Sequence, residues 1–203
     1  MSGTYRLKFD LNTLANEMLD ELNPALFQSD STTFLDPCMG GGQFLKAIED
    51  RLRSYGHSDK NIAKRVTGYA ENYLDIGWTR KYRDVISHME VKDIRDEIED
   101  MKFDVTIGNP PFSEIQTSES GWGGKTILYP QFFKLATEIS DAGAMIMPPT
   151  RVNYALRKKH IEVIKSVAHK IVDVSEEERQ NMGVGTDMWT VYWGSEGNVD
   201  EHF

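Results

Sequence analysis

Short apolar segments alternate with amphipathic segments along most of the chain. Five of the apolar segments end in Pro, Asn or an acid, namely TTFLD (32–36), RVTGYAE (65–71), HMEVKD (88–93), FDVTIGN (103–109) and AGAMIMP (142–148). Segments with the apolar spacing of a helix precede or separate them, at 11–22, 44–52, 73–86 and 129–140. Strands that alternate with helices are typical of βαβ units, so the pattern predicts an α/β fold with a parallel sheet.

The pattern changes after the fifth predicted strand. A helical pattern covers 155–167, and two further strands follow, HKIVDVS (169–175) and DMWTVYWG (187–194), with an acidic, glycine-rich turn between them. This order favours an antiparallel hairpin. Because the sequence shows no internal repeat and no linker, we expect one domain, 1–194, followed by a flexible tail, 195–203.

The length and composition of the chain limit the class of protein to which it can belong. With 203 residues, the chain is long enough for one domain with a substantial core. The lone cysteine, Cys38, cannot form an internal disulfide, and the sequence shows neither a charged-then-apolar leader nor a run of about 18 apolar residues. We therefore expect a soluble, cytoplasmic protein.

Charge is distributed unevenly. The formal net charge of -9 argues mildly against a polyanionic partner, because nucleic-acid affinity rests largely on Lys and Arg. Residues 151–170 nevertheless contain six basic side chains against one acidic side chain, Glu162. The basic residues are Arg151, Arg157, Lys158, Lys159, Lys165 and Lys170. They form either a solvated helix face or a phosphate-facing patch.

Four successive predicted strands end in an acidic or amide side chain: Asp36, Glu71, Asp93 and Asn109. In open parallel sheets, ligands bind outside the carboxyl ends of the strands, so these residues mark the candidate site. Glu71 could accept hydrogen bonds from ribose hydroxyls, or it could cap the following helix. Asp93 could accept a hydrogen bond from the exocyclic amino group of a purine, or it could cap the segment after it.

Asp36 opens the glycine-rich segment DPCMGGGQF (36–44). Consecutive glycines allow positive φ and close approach of a ligand, and a helix start offers free N–H groups. The segment lacks the spacing of a phosphate loop, and the acid in front of it would repel phosphate. A ligand with a cationic or hydroxyl-rich face fits better, although a tight strand-to-helix turn without a ligand would use the same residues.

The segment Asn109-Pro110-Pro111-Phe112 directly follows a predicted buried strand. Asn supplies a neutral acceptor oxygen, and the two prolines stiffen the chain so that the Pro110 carbonyl stays beside it. Two acceptors that bind the hydrogens of an aryl amino group localise the nitrogen lone pair for attack. Phe112 could stack on the base that carries this amine. The alternative is a rigid corner with no catalytic role.

Together, DPCMGGGQF and NPPF, in that order and about 70 residues apart, resemble the S-adenosylmethionine-dependent amino-group DNA methyltransferases, above all the N6-adenine enzymes. The cofactor signature of that family matches Asp36, Pro37, Gly40, Gly42 and Phe44. Further similarity covers the helix around Thr13, LYPQFFKLA (128–136) and GAMIMPPTRV (143–152). The resemblance implies a Rossmann-like class I methyltransferase fold, with a seven-stranded, mostly parallel sheet and a terminal antiparallel strand.

The resemblance also implies roles for individual residues. Asp36 and the turn from Gly40 to Gly42 would hold the methionine moiety of S-adenosylmethionine. The other residues that would bind the cofactor include Thr13, in the helix that flanks the cofactor, and Pro37, Cys38, Phe44 and Asn109. Glu71 would hold the ribose, and Asp93 with Ile94 would hold the adenine ring. Asn109 and the Pro110 carbonyl would bind the target amine of a flipped-out adenine, with Phe112 stacked on the base. No metal is implied, since Cys38 and the five histidines show no ligand spacing.

Two features depart from the family pattern. Glu71 lies three residues past Gly68, where the family usually places its ribose-binding acid two residues past the glycine. The C-terminal target-recognition domain that the resemblance implies is not evident in the sequence. DNA contacts would then fall to Arg151, Arg157, Lys158 and Lys159, aided by a homodimer or a separate specificity subunit. The segment GWGGK (121–125) is either a lid that orders on substrate or a loose connection.

Other functions share these motifs. N4-cytosine methylation uses the same corner, and methyltransferases that act on RNA guanine or protein glutamine can carry an Asn-Pro-Pro-aromatic corner. A non-catalytic binding subunit is an alternative of another class.

Overall fold

A computed structural model of the chain describes residues 11–95, 101–115, 125–149, 154–195 and 199. Within these ranges, the side chains of residues 114, 115, 125 and 154–157 are not described. The predictions for residues 121–124, for Arg151 and for most of the tail lie outside the described residues.

The described elements follow the predicted alternation. The helices are α1 (Asn12–Asp20), α2 (Ala25–Gln28), α3 (Gln43–Ser54), α4 (Asp59–Arg65), α5 (Tyr73–Arg83), α6 (Tyr129–Ile139), α7 (Tyr154–Val167) and α8 (Glu176–Asn181). The strands are β1 (Phe34–Asp36), β2 (Val66–Ala70), β3 (His88–Val91), β4 (Phe103–Gly108), β5 (Ser113–Ile115), β6 (Lys125–Ile127), β7 (Ser140–Met147), β8 (Ala168–Asp173) and β9 (Trp189–Trp193).

Seven strands form one sheet in the order β3-β2-β1-β4-β7-β9-β8. β9 runs antiparallel to both β7 and β8, whereas the remaining neighbours are parallel. The predicted α/β fold and its antiparallel last strand are confirmed. β9 is the last of the described strands along the chain, but it lies inside the sheet, between β7 and β8. The strand order reverses between β1 and β4, which is where open α/β sheets bind ligands.

Apolar residues cover both faces of this sheet. Phe34 and Leu35, successive residues of β1, are fully buried and belong to different clusters. The cluster of Phe34 includes apolar residues of α1 and α3, and the cluster of Leu35 includes residues of α6 and α7. Burial on both faces explains why the central strands are nearly continuous apolar runs. None of the described helices is long and apolar enough to cross a membrane.

Local interactions account for the differences from the predicted elements. The helix predicted for 73–86 ends at Arg83, because Asp84 adopts a φ of 52°. The predicted turn between the last two strands contains α8, whose N-cap Ser175 accepts a hydrogen bond from the Glu178 N–H at 3.2 Å. The short elements α2, α4, β5 and β6 were not predicted, since three to seven residues carry little periodic signal.

Candidate active site

A cleft of about 740 Å³ opens at the carboxyl ends of the strands around the point where the strand order reverses. This volume lies in the range of small-molecule and cofactor sites. Its walls come from the turn after β1, the ends of β2 and β3, the corner after β4, and α6. The residues that line it are Pro37, Cys38, Gly40, Tyr69, Ala70, Glu71, Asp75, Val91, Lys92, Asp93, Arg95, Asn109, Pro111, Ser113, Leu128 and Phe132.

Three of the four predicted strand-end residues, Glu71, Asp93 and Asn109, line this cleft. They follow three different strands: β2 and β3 lie on one side of β1 in the sheet, and β4 lies on the other side. Glu71 is exposed at the rim, one residue past β2, so its offset from Gly68 does not remove it from the cleft. The fourth residue, Asp36, ends β1 and is fully buried beneath the turn that carries the cleft residues Pro37 and Cys38.

The Asp36 carboxyl is poorly compensated in its buried position. Oδ1 accepts a hydrogen bond from the Cys38 N–H at 3.1 Å, whereas Oδ2 has no hydrogen-bond partner within the described part of the chain. Burial raises the pKa of Asp36 to about 7, although the bond from Cys38 opposes the rise. A cationic group in the cleft would favour the ionised carboxylate. The α-amino group of S-adenosylmethionine has this charge, so the buried carboxyl fits that molecule.

Gly108, the last residue of β4, leaves space for this carboxyl. A Cβ at Gly108 would lie only 2.9 Å from Asp36 Oδ1 and 3.2 Å from Cδ of Pro37. The absence of a side chain therefore allows the end of β4, and with it Asn109, to pack directly against the first residues of the cofactor signature.

The signature glycines serve different purposes. Gly40 and Gly42 have φ angles of 46° and 74°, and the Gly42 N–H donates to the Met39 carbonyl at 2.6 Å to close the turn. Gly40 lines the cleft, but Gly42 does not. A Cβ at Gly42 would instead collide with Cγ2 of Thr79 on α5. Gly42 thus allows α5 to pack against the start of α3, where the signature residue Phe44 is buried in the core.

Cys38 faces the cleft as a neutral thiol. Burial raises its pKa well above the usual range, and the carboxylates of Asp36, Asp93 and Glu71 raise it further, while Arg95 opposes them. Within the described residues, no group of three or more His, Cys, Asp or Glu side chains is arranged to hold a metal ion.

Asp93 is paired with Arg95, a residue that the sequence did not single out. Arg95 contacts both carboxylate oxygens, and its hydrogen bonds lower the pKa of Asp93 below the usual range despite the opposing effect of burial. The residue between them, Ile94, is buried in the apolar cluster that also contains Tyr69 and Phe132. Ile94 therefore belongs to the apolar core behind this end of the cleft.

The corner after β4 carries an amide oxygen without a partner. Oδ1 of Asn109 is buried and accepts no hydrogen bond from any described residue. Pro110 is buried and Pro111 is exposed, and both lie outside helix and strand, where their rings fix φ and stiffen the corner. Phe112 is half-buried against both apolar clusters, and its carbonyl accepts a hydrogen bond from the Leu128 N–H at 3.2 Å. The next residues form β5, which pairs with β6, so the corner is braced on its C-terminal side.

Other predicted functional residues lie away from the cleft. Thr13 is exposed on α1 and is not among the lining residues. Lys158 and Lys159 are exposed on α7. Arg157 belongs to the same helix, but its side chain and the whole of Arg151 lie outside what the structure describes.

Several lining residues escaped the sequence patterns. Asp75 and Phe132 lie within helices. The spacing of apolar residues in a helix predicts which side chains face the core, but it does not indicate which side chains reach a ligand. Lys92 and Arg95 lie within two residues of Asp93 in the sequence. This proximity to a predicted site residue was the one sequence signal that could have identified them as lining residues. Leu128 and Ser113 reach the cleft through the unpredicted β5–β6 pair.

Comparison with known proteins agrees with this architecture. The family model for the Eco57I restriction-modification methylases matches residues 27–179. A protein from Listeria monocytogenes described as a class I S-adenosylmethionine-dependent methyltransferase superposes with a TM-score of 0.66 at 14% identity, covering 94% of this chain and 60% of that one. No curated protein sequence matches the chain.

Two restriction enzyme subunits are also similar. A protein described as a modification subunit of a type I restriction enzyme from Vibrio vulnificus gives a TM-score of 0.66 at 14% identity, over 93% of this chain and 45% of that one. The M protein of the type I restriction enzyme EcoKI gives 0.64 at 12% identity, over 91% and 43%. The chain thus spans less than two-thirds of each of these three proteins, and the likenesses show a class I methyltransferase fold. By its family match, the chain belongs to the Eco57I restriction-modification methylases.

Proposed function

We propose that this protein binds S-adenosylmethionine and methylates the N6 amino group of adenine in DNA. The observation that carries the proposal is Oδ1 of Asn109, a buried acceptor without a partner in the described part of the chain, at the mouth of a cofactor-sized cleft. Bound there, S-adenosylmethionine would supply an electrophilic methyl group on a positively charged sulfur. Family membership supports the same chemistry.

Different parts of the cofactor would be held by the cleft residues and by Asp36 beneath the turn. Asp36 and the turn at Gly40 would hold the methionine moiety, with the buried carboxylate opposite the cationic ammonium group. Glu71, exposed at the end of β2, would accept hydrogen bonds from the ribose hydroxyls. Asp93 would recognise the adenine ring through its exocyclic amino group, and Ile94 would support this end of the cleft from the core.

The Asn109 corner would activate the target amine. A buried amide oxygen without a hydrogen-bond partner carries a desolvation penalty of roughly 1–3 kcal/mol, which is relieved when an N–H group donates to it. Together with the Pro110 carbonyl, Oδ1 would accept both hydrogens of the amine and localise its lone pair. Both acceptors are neutral dipoles fixed before the reaction, so they stabilise the positive charge that develops on nitrogen during attack.

DNA would approach from the open side of the corner. Phe112 would stack on the extruded base. Stacking requires that one face of its half-buried ring is accessible to the base. Lys158 and Lys159 would contact phosphates, with Arg151 and Arg157 as further candidates on the same segment. Since the chain carries a net charge of -9, we expect weak DNA binding by the chain alone. Self-association or a specificity subunit would supply the remaining contacts.

Nucleoside mass spectrometry after incubation with methyl-labelled S-adenosylmethionine tests this function. Duplex DNA, single-stranded DNA, RNA and a glutamine-containing peptide are offered in parallel. Label in N6-methyladenine from DNA, lost in Asn109→Ala and retained in the matched surface variant Asn181→Ala, is the expected result. Label in N4-methylcytosine, in RNA or in peptide would refute the proposed substrate, and no label in any acceptor would refute the proposed activity.

A further inference from the structure

Arg95 connects two walls of the cleft. It lies in the segment that follows β3, and its guanidinium group lies over the ring of Phe132 on α6, with 5.3 Å between Cζ and the ring centroid. Phe132 is almost completely buried and lines the cleft beside Arg95. A cation over an aromatic face is attracted by the negative potential of the ring, more strongly where water is partly excluded. Arg95 is therefore held against α6 as well as against its own segment.

The same guanidinium group fixes the orientation of the Asp93 carboxylate. Nε donates to Oδ1 at 2.8 Å and to Oδ2 at 3.0 Å, and Nη2 also donates to Oδ2. The Arg95 backbone N–H adds a bond to Oδ1 at 2.9 Å. Because both oxygens are bonded to one rigid group, the carboxylate cannot rotate without breaking a planar, two-point contact.

Asp93 nevertheless keeps the capacity to bind a ligand. The two carboxylate oxygens together offer about four acceptor positions, whereas Arg95 supplies only three hydrogens, because the one Nε hydrogen is shared between both oxygens. One acceptor position therefore remains. The Asp93 side chain is 33% exposed and lines the cleft. A carboxylate in this position can accept a hydrogen bond from an amino group but repels an oxo group, which has only lone pairs to present. It can therefore distinguish adenine from hypoxanthine.

We infer that Arg95, which lies over Phe132, is a positioning residue that sets the selectivity of the cleft for an adenine ring by fixing the orientation of the Asp93 carboxylate. This inference rests on the proposed function, since it assigns the adenine of the cofactor to this end of the cleft. Arg95 acts through Asp93 and does not itself contact the amino group. Loss of the guanidinium group frees the carboxylate to rotate and to hydrate, so the distinction between an amino and an oxo group weakens.

The test compares the dissociation constants of S-adenosylhomocysteine and S-inosylhomocysteine, two ligands whose bases differ in the amino or oxo group at position 6 and in the hydrogen that hypoxanthine carries on N1. Calorimetry on the parent should show a preference for the adenine ligand of about tenfold or more, as expected for a hydrogen bond to a charged acceptor. Arg95→Gln should reduce this preference several-fold. Arg95→Lys, which keeps the charge without the two-point contact, should restore only part of it. Arg179→Gln, which breaks an ion pair with Asp187 outside the cleft, is the matched control and should leave it unchanged.

A double-mutant cycle with Asp93→Asn separates positioning from direct contact. If Arg95 acts through Asp93, then Arg95→Gln should not change the ligand preference further in the Asp93→Asn background. Phe132→Leu, which removes the cation–ring contact, gives a second route to the same result if Arg95→Gln fails to fold in a thermal melt.

Three outcomes would overturn the inference. Equal weakening of both ligands by Arg95→Gln, with the preference retained, would mean that Arg95 only supports the fold. A further loss of preference in the Asp93→Asn background would mean that Arg95 contacts the ligand itself. A parent that binds neither ligand would contradict the proposed function, and the inference with it.

Discussion

Replacing Asp36 with Asn should stabilise the protein above pH 7 and weaken its affinity for S-adenosylmethionine. The native carboxyl is fully buried, and one of its two oxygens has no hydrogen-bond partner among the described residues. Burial penalises the charged form and raises the pKa from 3.8 to about 7. Residues that bind ligands commonly lower stability in this way, because the ligand supplies the missing interaction.

The size of the effect follows from linkage between protonation and folding. A carboxyl whose pKa is higher in the folded state contributes stability below its unfolded pKa of 3.8, and that contribution is lost as the pH rises through about 7. At about 1.36 kcal/mol for each pKa unit, the full loss is roughly 4 kcal/mol. The part that falls between pH 5 and pH 8 is roughly 2–3 kcal/mol. An Asn at position 36 does not ionise, so this loss should be absent in the variant.

Urea denaturation at half-unit intervals from pH 5 to pH 8 measures the difference. The free energy of unfolding of the parent should fall relative to Asp36→Asn as the pH rises, whereas Asp173→Asn, at an exposed position, should track the parent. Addition of S-adenosylmethionine at pH 8 should stabilise the parent but hardly the variant. Parallel pH profiles for the parent and Asp36→Asn would refute the argument that the buried carboxyl is strained by its own charge.

Three further predictions concern packing, protonation and DNA contacts. Gly42→Ala should lower the free energy of unfolding by about 2 kcal/mol, because Gly42 has a positive φ and a Cβ would collide with Thr79. In urea titrations, the double variant Gly42→Ala/Thr79→Ala should recover part of this loss, and no recovery would argue against that contact. His160 is buried, which lowers its pKa to about 4, so its contribution to stability is complete above pH 6.5 and is lost by up to about 3 kcal/mol as the pH falls through 4. The His160→Phe variant should lack this acid-dependent loss in unfolding titrations, and an unchanged loss would exclude His160 as its source. Replacing Lys158 and Lys159 with Gln should weaken DNA binding and leave the cofactor affinity unchanged. The slope of the logarithm of the DNA-binding constant against the logarithm of the salt concentration should become shallower by about 0.9 for each phosphate that is no longer neutralised. An unaltered slope would show that α7 does not contact DNA.

The strand ends were the part of the site that the sequence could predict. Glu71, Asp93 and Asn109 each follow an apolar run, and a parallel sheet places such residues at one edge whatever the details of packing. The same argument identified Asp36, but not that it lies beneath the turn, because burial depends on how the end of β4 meets β1. The glycine at position 108, which makes that packing possible, gave no pattern of its own.

Residues that act through packing could not be predicted. Gly42 belongs to a signature associated with cofactor binding, yet its lack of a side chain is required by Thr79, a residue 37 positions later whose proximity depends on α5 docking onto α3. Arg95 and Phe132 meet across the cleft only once the segment after β3 and α6 are in place. Contacts of this kind require the three-dimensional arrangement, since neither periodicity nor spacing encodes them.

If Oδ1 of Asn109 binds the target amine during methyl transfer, single-turnover kinetics on Asn109→Ala should reveal it. The variant should retain the parent's dissociation constant for S-adenosylmethionine within a few-fold and lose methyl transfer to adenine by a factor on the order of 100 or more. Methyl transfer by Asn109→Ala at the parental rate, with cofactor binding intact, would show that Oδ1 of Asn109 does not act on the amine.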